Sequence, residues 1–273
     1  MISRRLFLLA PLGMAFAAEA DPLQAGFRDL YHLRFSDARG VFQAWQQGHA
    51  SDPMGFVAEA ASHLFEEFEA DGVLTTEFFL DDDRLLGGIE GQPNASRTAA
   101  FERVSQRGRA LAGPQADRDP RDANALLSLA LLSGMRADYL SVIEKKQVAS
   151  LREIRSAESY GAKLLRVAPS MGDAYVALGA ANYILACLPA YKRAMLWFGG
   201  LQGDKTKGMD QLRQAAQNGR YLAPYAKILL ALASLREKQG AQAVRLMNEL
   251  VMEFPESPLF QREQSKIARL SRI

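Results

Sequence analysis

Ala241-Gln242-Ala243-Val244-Arg245-Leu246-Met247-Asn248-Glu249-Leu250-Val251-Met252-Glu253-Phe254-Pro255 decides how this chain is read. Ala243, Met247 and Leu250 fall on one face at helical spacing, and Pro255 stands where the helix must stop. A small residue followed by two larger apolar groups suits a site where two helices touch closely. One such helix pair cannot bury its apolar face alone and must stack on further pairs. The stretch therefore predicts an array of helices.

Working outward, helical periodicity dominates and strand alternation is nearly absent. Asp21-Pro22, Asp52-Pro53, Asp119-Pro120 and Ser257-Pro258 each join a capping residue to a proline suited to the first helical position, and all four read as helix starts. Helices are expected near 23–33, 36–50 and 53–70, followed by a short acidic piece around 75–86 and a turn-rich break from Gly87 to Pro93. Asn94–Ala112 follows, then a polar loop over Gly113–Pro120. Arg121–Ser133 and one long helix near Ala137–Val167, ended by Pro169, form the next pair. Further helices are expected at Asp173–Leu188, Tyr191–Phe198, Gly208–Asn218, Ala223–Gln239, Ala241–Phe254 and Pro258–Arg272. The last of these is polar on one side, as the end of an array must be. The fold class is all-α, a solenoid-like array of antiparallel helix pairs without significant sheet.

The first twenty residues read as an export signal: Arg4 and Arg5, an apolar run over Leu6–Ala18, and a small-x-small cleavage site at Ala18-Glu19-Ala20. Ser3-Arg4-Arg5-Leu6-Phe7-Leu8 matches the twin-arginine pattern, with ordinary secretion as the alternative route. The mature protein would begin at Asp21 in the periplasm, or otherwise outside the cytoplasm. Residues 21–273 then form a single helical-repeat domain, with a division into 21–113 and 119–273. Cys187 is the only cysteine, so no internal disulfide forms and stability must come from the core. Removing Arg4, Arg5 and Glu19 from 33 basic and 31 acidic residues leaves the mature chain almost neutral. That balance gives no electrostatic footprint for nucleic acid.

The registers Ala38–Phe42–Trp45 and Ala243–Met247–Leu250–Pro255 resemble the second helix of tetratricopeptide repeats. Tyr160–Leu164–Pro169, followed by Asp173-Ala174-Tyr175, resembles a third junction. Gly179–Tyr183 (Gly-Ala-Ala-Asn-Tyr) and Gly200–Lys205 (Gly-Leu-Gln-Gly-Asp-Lys) are similar to signatures of exported bacterial proteins with divergent repeats. The resemblance implies a bacterial scaffold that binds rather than catalyses.

The apolar stretch Ala174–Tyr191 reads as a helix buried between neighbours and not as a membrane span, because Gly179, Asn182 and Pro189 interrupt it and Lys192-Arg193 follow. No transmembrane helix is expected in the mature chain. Tyr175, Asn182, Tyr183, Tyr191, Lys192 and Trp197 are the candidate binding residues: a buried amide, aromatic walls, and a cation for a ligand carboxylate or phosphate. A structural role in the core is the competing reading for each.

Other motifs carry less. His63 and Glu67 at i, i+4 lack the second histidine of a metalloprotease helix, and Asp81-Asp82-Asp83 lacks a calcium loop around it. Gly199–Gly203 lacks the spacing of a phosphate loop. Asn94-Ala95-Ser96 fits a glycosylation acceptor, though Asn94 also reads as a helix cap. No Ser-His-Asp or Cys-His set and no cofactor or metal site is expected, so the chain reads as a non-enzyme. A protein or peptide partner in a concave groove is the leading expectation. The alternative is a small apolar or amphipathic ligand, as in the helical-repeat accessory proteins of substrate-uptake systems. An open groove lined by exposed polar side chains would favour the first, and an enclosed tunnel lined by Tyr183, Leu185 and Trp197 the second.

Overall fold

The computed structural model describes residues 21–188 and 202–271. Among them the chain forms thirteen α-helices and no strand. These are α1 (Pro22–Tyr31), α2 (Phe35–Gly48), α3 (Met54–Ala70), the short α4 (Thr76–Leu80) and α5 (Asp82–Gly87), α6 (Ala95–Arg118) and α7 (Ala123–Asp138). A π-helical turn over Tyr139–Ile143 leads to α8 (Gln147–Val167), followed by α9 (Ala174–Cys187), α10 (Lys205–Asn218), α11 (Ala223–Arg236), α12 (Gly240–Glu253) and α13 (Pro258–Leu270). The expected helix over Tyr191–Phe198 lies outside the described residues.

Local chemistry sets most helix starts. Asp21 accepts the Leu23 N–H at 3.0 Å, Asp52 that of Met54 at 2.9 Å, and Ser257 that of Phe260 at 3.3 Å. Each side-chain oxygen satisfies an amide that the helix leaves without a partner. Asn94 caps α6 in the same way, accepting from Ser96 and Arg97 at 3.1 Å. Ala243, Met247 and Leu250 are all buried on the inner face of α12, as are Ala38 and Phe42 on α2.

Three boundaries differ from the sequence expectation. Asp119-Pro120 does not start a helix. Asp119 accepts the Arg121 N–H at 2.9 Å inside a turn, and Asp122 caps α7 through Ala125 at 3.0 Å. The expected polar loop over Gly113–Pro120 is helical to Arg118, with Pro114 inside α6. Ala112, fully buried against Ala125 and Leu129, holds that end of α6 on α7, and Gln115 donates to the Ser51 carbonyl at 2.6 Å. This packing offsets the hydrogen bond a proline removes. Finally, the long helix expected over Ala137–Val167 is two helices. Helix α7 runs through Gly134, and the break falls at Glu144–Lys146, where Lys145 has a φ of 58°.

Neighbouring helices pack mainly in chain order: α1 on α2, α2 on α3, α3 on α6, and then successively to α13. The ends of the array also meet, with α4 touching α11 and α13. The Ser257 hydroxyl donates to the Tyr31 carbonyl at 2.7 Å, and the Tyr31 hydroxyl donates to the Tyr221 carbonyl at 2.9 Å. Buried Glu263 accepts both the N–H and the hydroxyl of Thr76 at 2.8 Å. Arg236 donates to the Phe79 carbonyl at 2.7 Å and pairs with Asp82. These contacts draw the N-terminal helices against the C-terminal ones around a common interior. The segment Ala123–Ile143 is long and apolar enough to cross a membrane by length and composition, and 72% of its most apolar window is buried inside the fold.

Candidate functional site

The interior is not completely filled. A chamber lies among α3, α4, α7, α8, α9 and α11, with an interior void of about 200 Å³. One buried water needs about 10–15 Å³ on that measure, so the space is much larger than a packing defect. Two smaller voids share walls with it. One, between α1, α3, α11 and α13, also touches Phe65, Phe79 and Tyr225; the other touches Phe79, Ala180 and Ile184.

Helices α8 and α9 give the chamber its apolar walls because both place aliphatic residues at helical spacing, such as Leu151 with Ile154 and Ala177 with Ala181 and Ile184. Helix α3 adds Phe65 and Phe68, and α4 adds Phe78 and Phe79. Gly134 removes a side chain from the α7 wall; a Cβ there would meet nothing within 4 Å.

Polar side chains in the described lining are few. Ser141 spends its hydroxyl on the Asp138 carbonyl at 3.2 Å, and Ser150 on the Gln147 carbonyl at 2.7 Å. The Gln147 amide donates to the Ser141 carbonyl at 3.0 Å. The carboxylate of Asp138 and the hydroxyl of Tyr225 make no hydrogen bond or ion pair with a described residue, and both line the chamber. Among the described lining residues there is no lysine, arginine or histidine.

The π-helical turn accounts for the placement of Asp138. Tyr139 and Ile143 are fully buried, Tyr139 stacking on Phe101 at 4.5 Å and bonding the Thr98 hydroxyl at 2.8 Å. The Glu144 N–H reaches back to the Tyr139 carbonyl at 3.0 Å, closing the wide turn. Gly88, with a φ of 76°, lies against the turn and a Cβ there would strike the Val142 carbonyl, while the neighbouring Ile89 N–H donates to that carbonyl at 2.9 Å. The side chains of Asp138, Ser141 and Val142 consequently line the chamber at the end of α7. Such π-turns inside helices occur frequently at functional sites.

Desolvation by burial pushes the Asp138 carboxyl up to about 7, and no described residue supplies a compensating cation. Burial also pushes the Tyr225 phenol up, and the Asp138 charge adds to that shift.

The residues singled out from the sequence fall elsewhere, in part. Asn182 is buried in α9, and its amide donates to the Leu178 carbonyl at 3.0 Å and to Gln211 Oε1 on α10 at 2.9 Å. Tyr183 donates to the Ala233 carbonyl at 3.3 Å and to Glu237 Oε1 at 3.0 Å, and Glu237 in turn holds Lys205 at 2.6 Å. Tyr183 borders one of the smaller voids, and Tyr175 is partly buried on the core. Tyr191, Lys192 and Trp197 lie outside the described residues.

The paired signatures around Asn182 have a packing explanation. Gly179 and Gly208 let α9 and α10 cross at close range: a Cβ on Gly208 would sit 2.7 Å from the Tyr183 backbone nitrogen and 2.9 Å from the Gly179 carbonyl. Gly203 lies against the backbone of Leu185 and Ala186, the Asp204 N–H donates to the Asn182 carbonyl at 3.1 Å, and Asp204 caps α10. Gly208→Ala is accordingly expected to lower stability by about 1–3 kcal/mol, since backbone atoms must separate to admit it. Urea denaturation followed by circular dichroism checks this; an unchanged midpoint would contradict the close crossing.

The other motifs also have partners. Glu66 pairs with Arg39 at 2.6 Å, Glu67 with Arg97, and His63 lies 3.9 Å from Glu59. Asp81 caps α5, accepting from Asp83 at 2.9 Å and from Arg84 at 3.0 Å. Among the described residues no group of three or more metal-ligating side chains comes together.

Asp138 and Tyr225 were not singled out in the sequence. The signal available was a lone acid in the apolar run Ala125–Ile143, where Arg136 is the only other charge. No protein-family model matches the chain, and no curated protein matches it.

Proposed function

We propose that this protein binds a small amphipathic molecule inside its helical array, without catalysing a reaction on it. The observation that carries the reading is the interior chamber: about 200 Å³ of void, apolar walls, and two polar groups without a partner among the described residues, Asp138 and Tyr225. A pocket of mostly apolar wall with a few convergent polar groups is the common form of a small-molecule site. The meeting of the N-terminal and C-terminal helices supports a chamber over an open groove for a peptide. The helical array and the repeat-like registers fit a tetratricopeptide-like scaffold of this kind. The twin-arginine-like residues 1–20, which lie outside the described residues, support export to the periplasm, and N-terminal sequencing of the protein purified from cells tests that part.

Gly134 offers a direct test of the binding reading, because it lines the chamber and a Cβ there meets nothing within 4 Å. Gly134→Leu is expected to stabilise the fold by about 1 kcal/mol, as leucine is the better helix former. It should also weaken binding of N-phenyl-1-naphthylamine, a neutral apolar fluorophore, by about tenfold, equivalent to about 1.4 kcal/mol. Opposite signs for stability and affinity separate filling of the chamber from damage to the fold. Unchanged affinity in a well-folded variant would overturn the reading.

A further inference from the structure

We propose that the chamber selects a cationic amphiphile, an ammonium group on an apolar body, with Asp138 as its counter-ion. This rests on the reading of the chamber as a small-molecule site and names the chemistry of its ligand.

A carboxylate kept from water is costly unless a cation or hydrogen-bond donors compensate it. Asp138 has neither among the described residues, and the described wall contains no basic side chain. With no such partner among the described residues, we assign that role to what enters the chamber. An ammonium supplies both requirements together, since it carries the opposite charge and points N–H donors at the carboxylate oxygens. The Tyr225 hydroxyl can accept a further N–H.

The walls favour the same choice. Phe65 packs edge-on against Tyr225 at 5.3 Å between ring centroids, and Phe78 and Phe79 complete an aromatic side of the chamber. Aromatic faces attract cations and repel anions. A carboxylate ligand would bring a second negative charge to Asp138 with nothing to offset it. An alcohol would gain burial of its chain and at most one hydrogen bond. The expected order of affinity is therefore ammonium, alcohol, carboxylate.

Three ligands of equal chain length separate these terms: octylammonium, octanol and octanoate, each titrated calorimetrically into the full mature chain at pH 8. Octylammonium is expected to bind at least about tenfold more tightly than octanol, with octanoate weakest. In Asp138→Asn the octylammonium preference should disappear while octanol affinity is kept. Equal affinities for octylammonium and octanol in the wild-type protein would overturn the counter-ion assignment but leave the chamber as an apolar binding site. A preference that survives in Asp138→Asn would overturn it in the same way. If none of the three binds, both the chamber reading and this inference fail.

Discussion

Arg97→Ala is expected to destabilise the protein by about 3–5 kcal/mol, the usual cost of removing one partner from a buried ion pair. Glu67 is completely buried on α3, and its carboxylate is held by the Arg97 guanidinium and by the Asn94 N–H at 3.1 Å. Asp71 lies one helical turn further along, and its carboxyl is already raised by desolvation and by the charge of Glu67. One buried oxygen of Asp71 has no hydrogen-bond partner. Without Arg97, two acids would share the end of α3 with one backbone amide as support. The Asp71 carboxyl would then be raised further, since Arg97 is the charge that lowers it. A raised carboxyl contributes stability below its unfolded pKa and loses it as pH rises through the folded one. The deficit of the variant should accordingly be larger at pH 8 than at pH 5. Urea unfolding at the two pH values measures it, and a loss below about 1 kcal/mol at pH 8 would place the pair among weak surface bridges instead.

Asp138→Asn should act in the opposite direction and stabilise the protein at pH 8. The wild-type carboxyl is raised from 3.8 to about 7 by desolvation alone. A raised acid favours the folded state least where it must ionise. Its cost is absent below about pH 4, grows as pH rises from 4 to 7, and is complete above that. A shift of about three units corresponds to about 4 kcal/mol, and the amide that replaces the acid is itself an unpartnered polar group. The net gain expected at pH 8 is about 2 kcal/mol, or about 4–8 °C in Tm for a chain of this size. The gain should shrink as pH falls and reverse near pH 4, where the wild-type acid is neutral and only the amide's own penalty remains. The comparison cancels the carboxylates with the opposite behaviour, such as Glu77, Glu144 and Glu237, whose pKa values are lowered and whose contribution is lost as pH falls. A wild-type protein as stable as the variant at pH 8 would mean that the Asp138 carboxylate is well compensated.

Residue order alone determined the all-α class, most of the helices, and the small-large-large faces of α2 and α12. These features are local: a cap such as Asp21 or Ser257 acts within three residues, and an apolar stripe repeats along one helix. Where the reading went astray, a distant contact outweighed the local preference. Pro114 was read as part of a loop, but packing of Ala112 on Ala125 and Leu129 keeps α6 helical around it. The helix expected to end at Ser133 continues, as α7 passes through Gly134 and ends at the π-turn, where Tyr139 stacks on Phe101 and Gly88 lies against Val142. Asn182 and Tyr183 were recognisable as unusual residues, but only the crossing of α9 with α10 and α11 shows their hydrogen bonds spent inside the fold. The chamber belongs to tertiary structure entirely. Its walls come from segments separated by well over a hundred residues, and the π-turn is what brings Asp138 to a wall where no described residue offers a cation. Periodicity tells which face of a helix is buried; it carries no information on whether the faces, once assembled, fill the space between them.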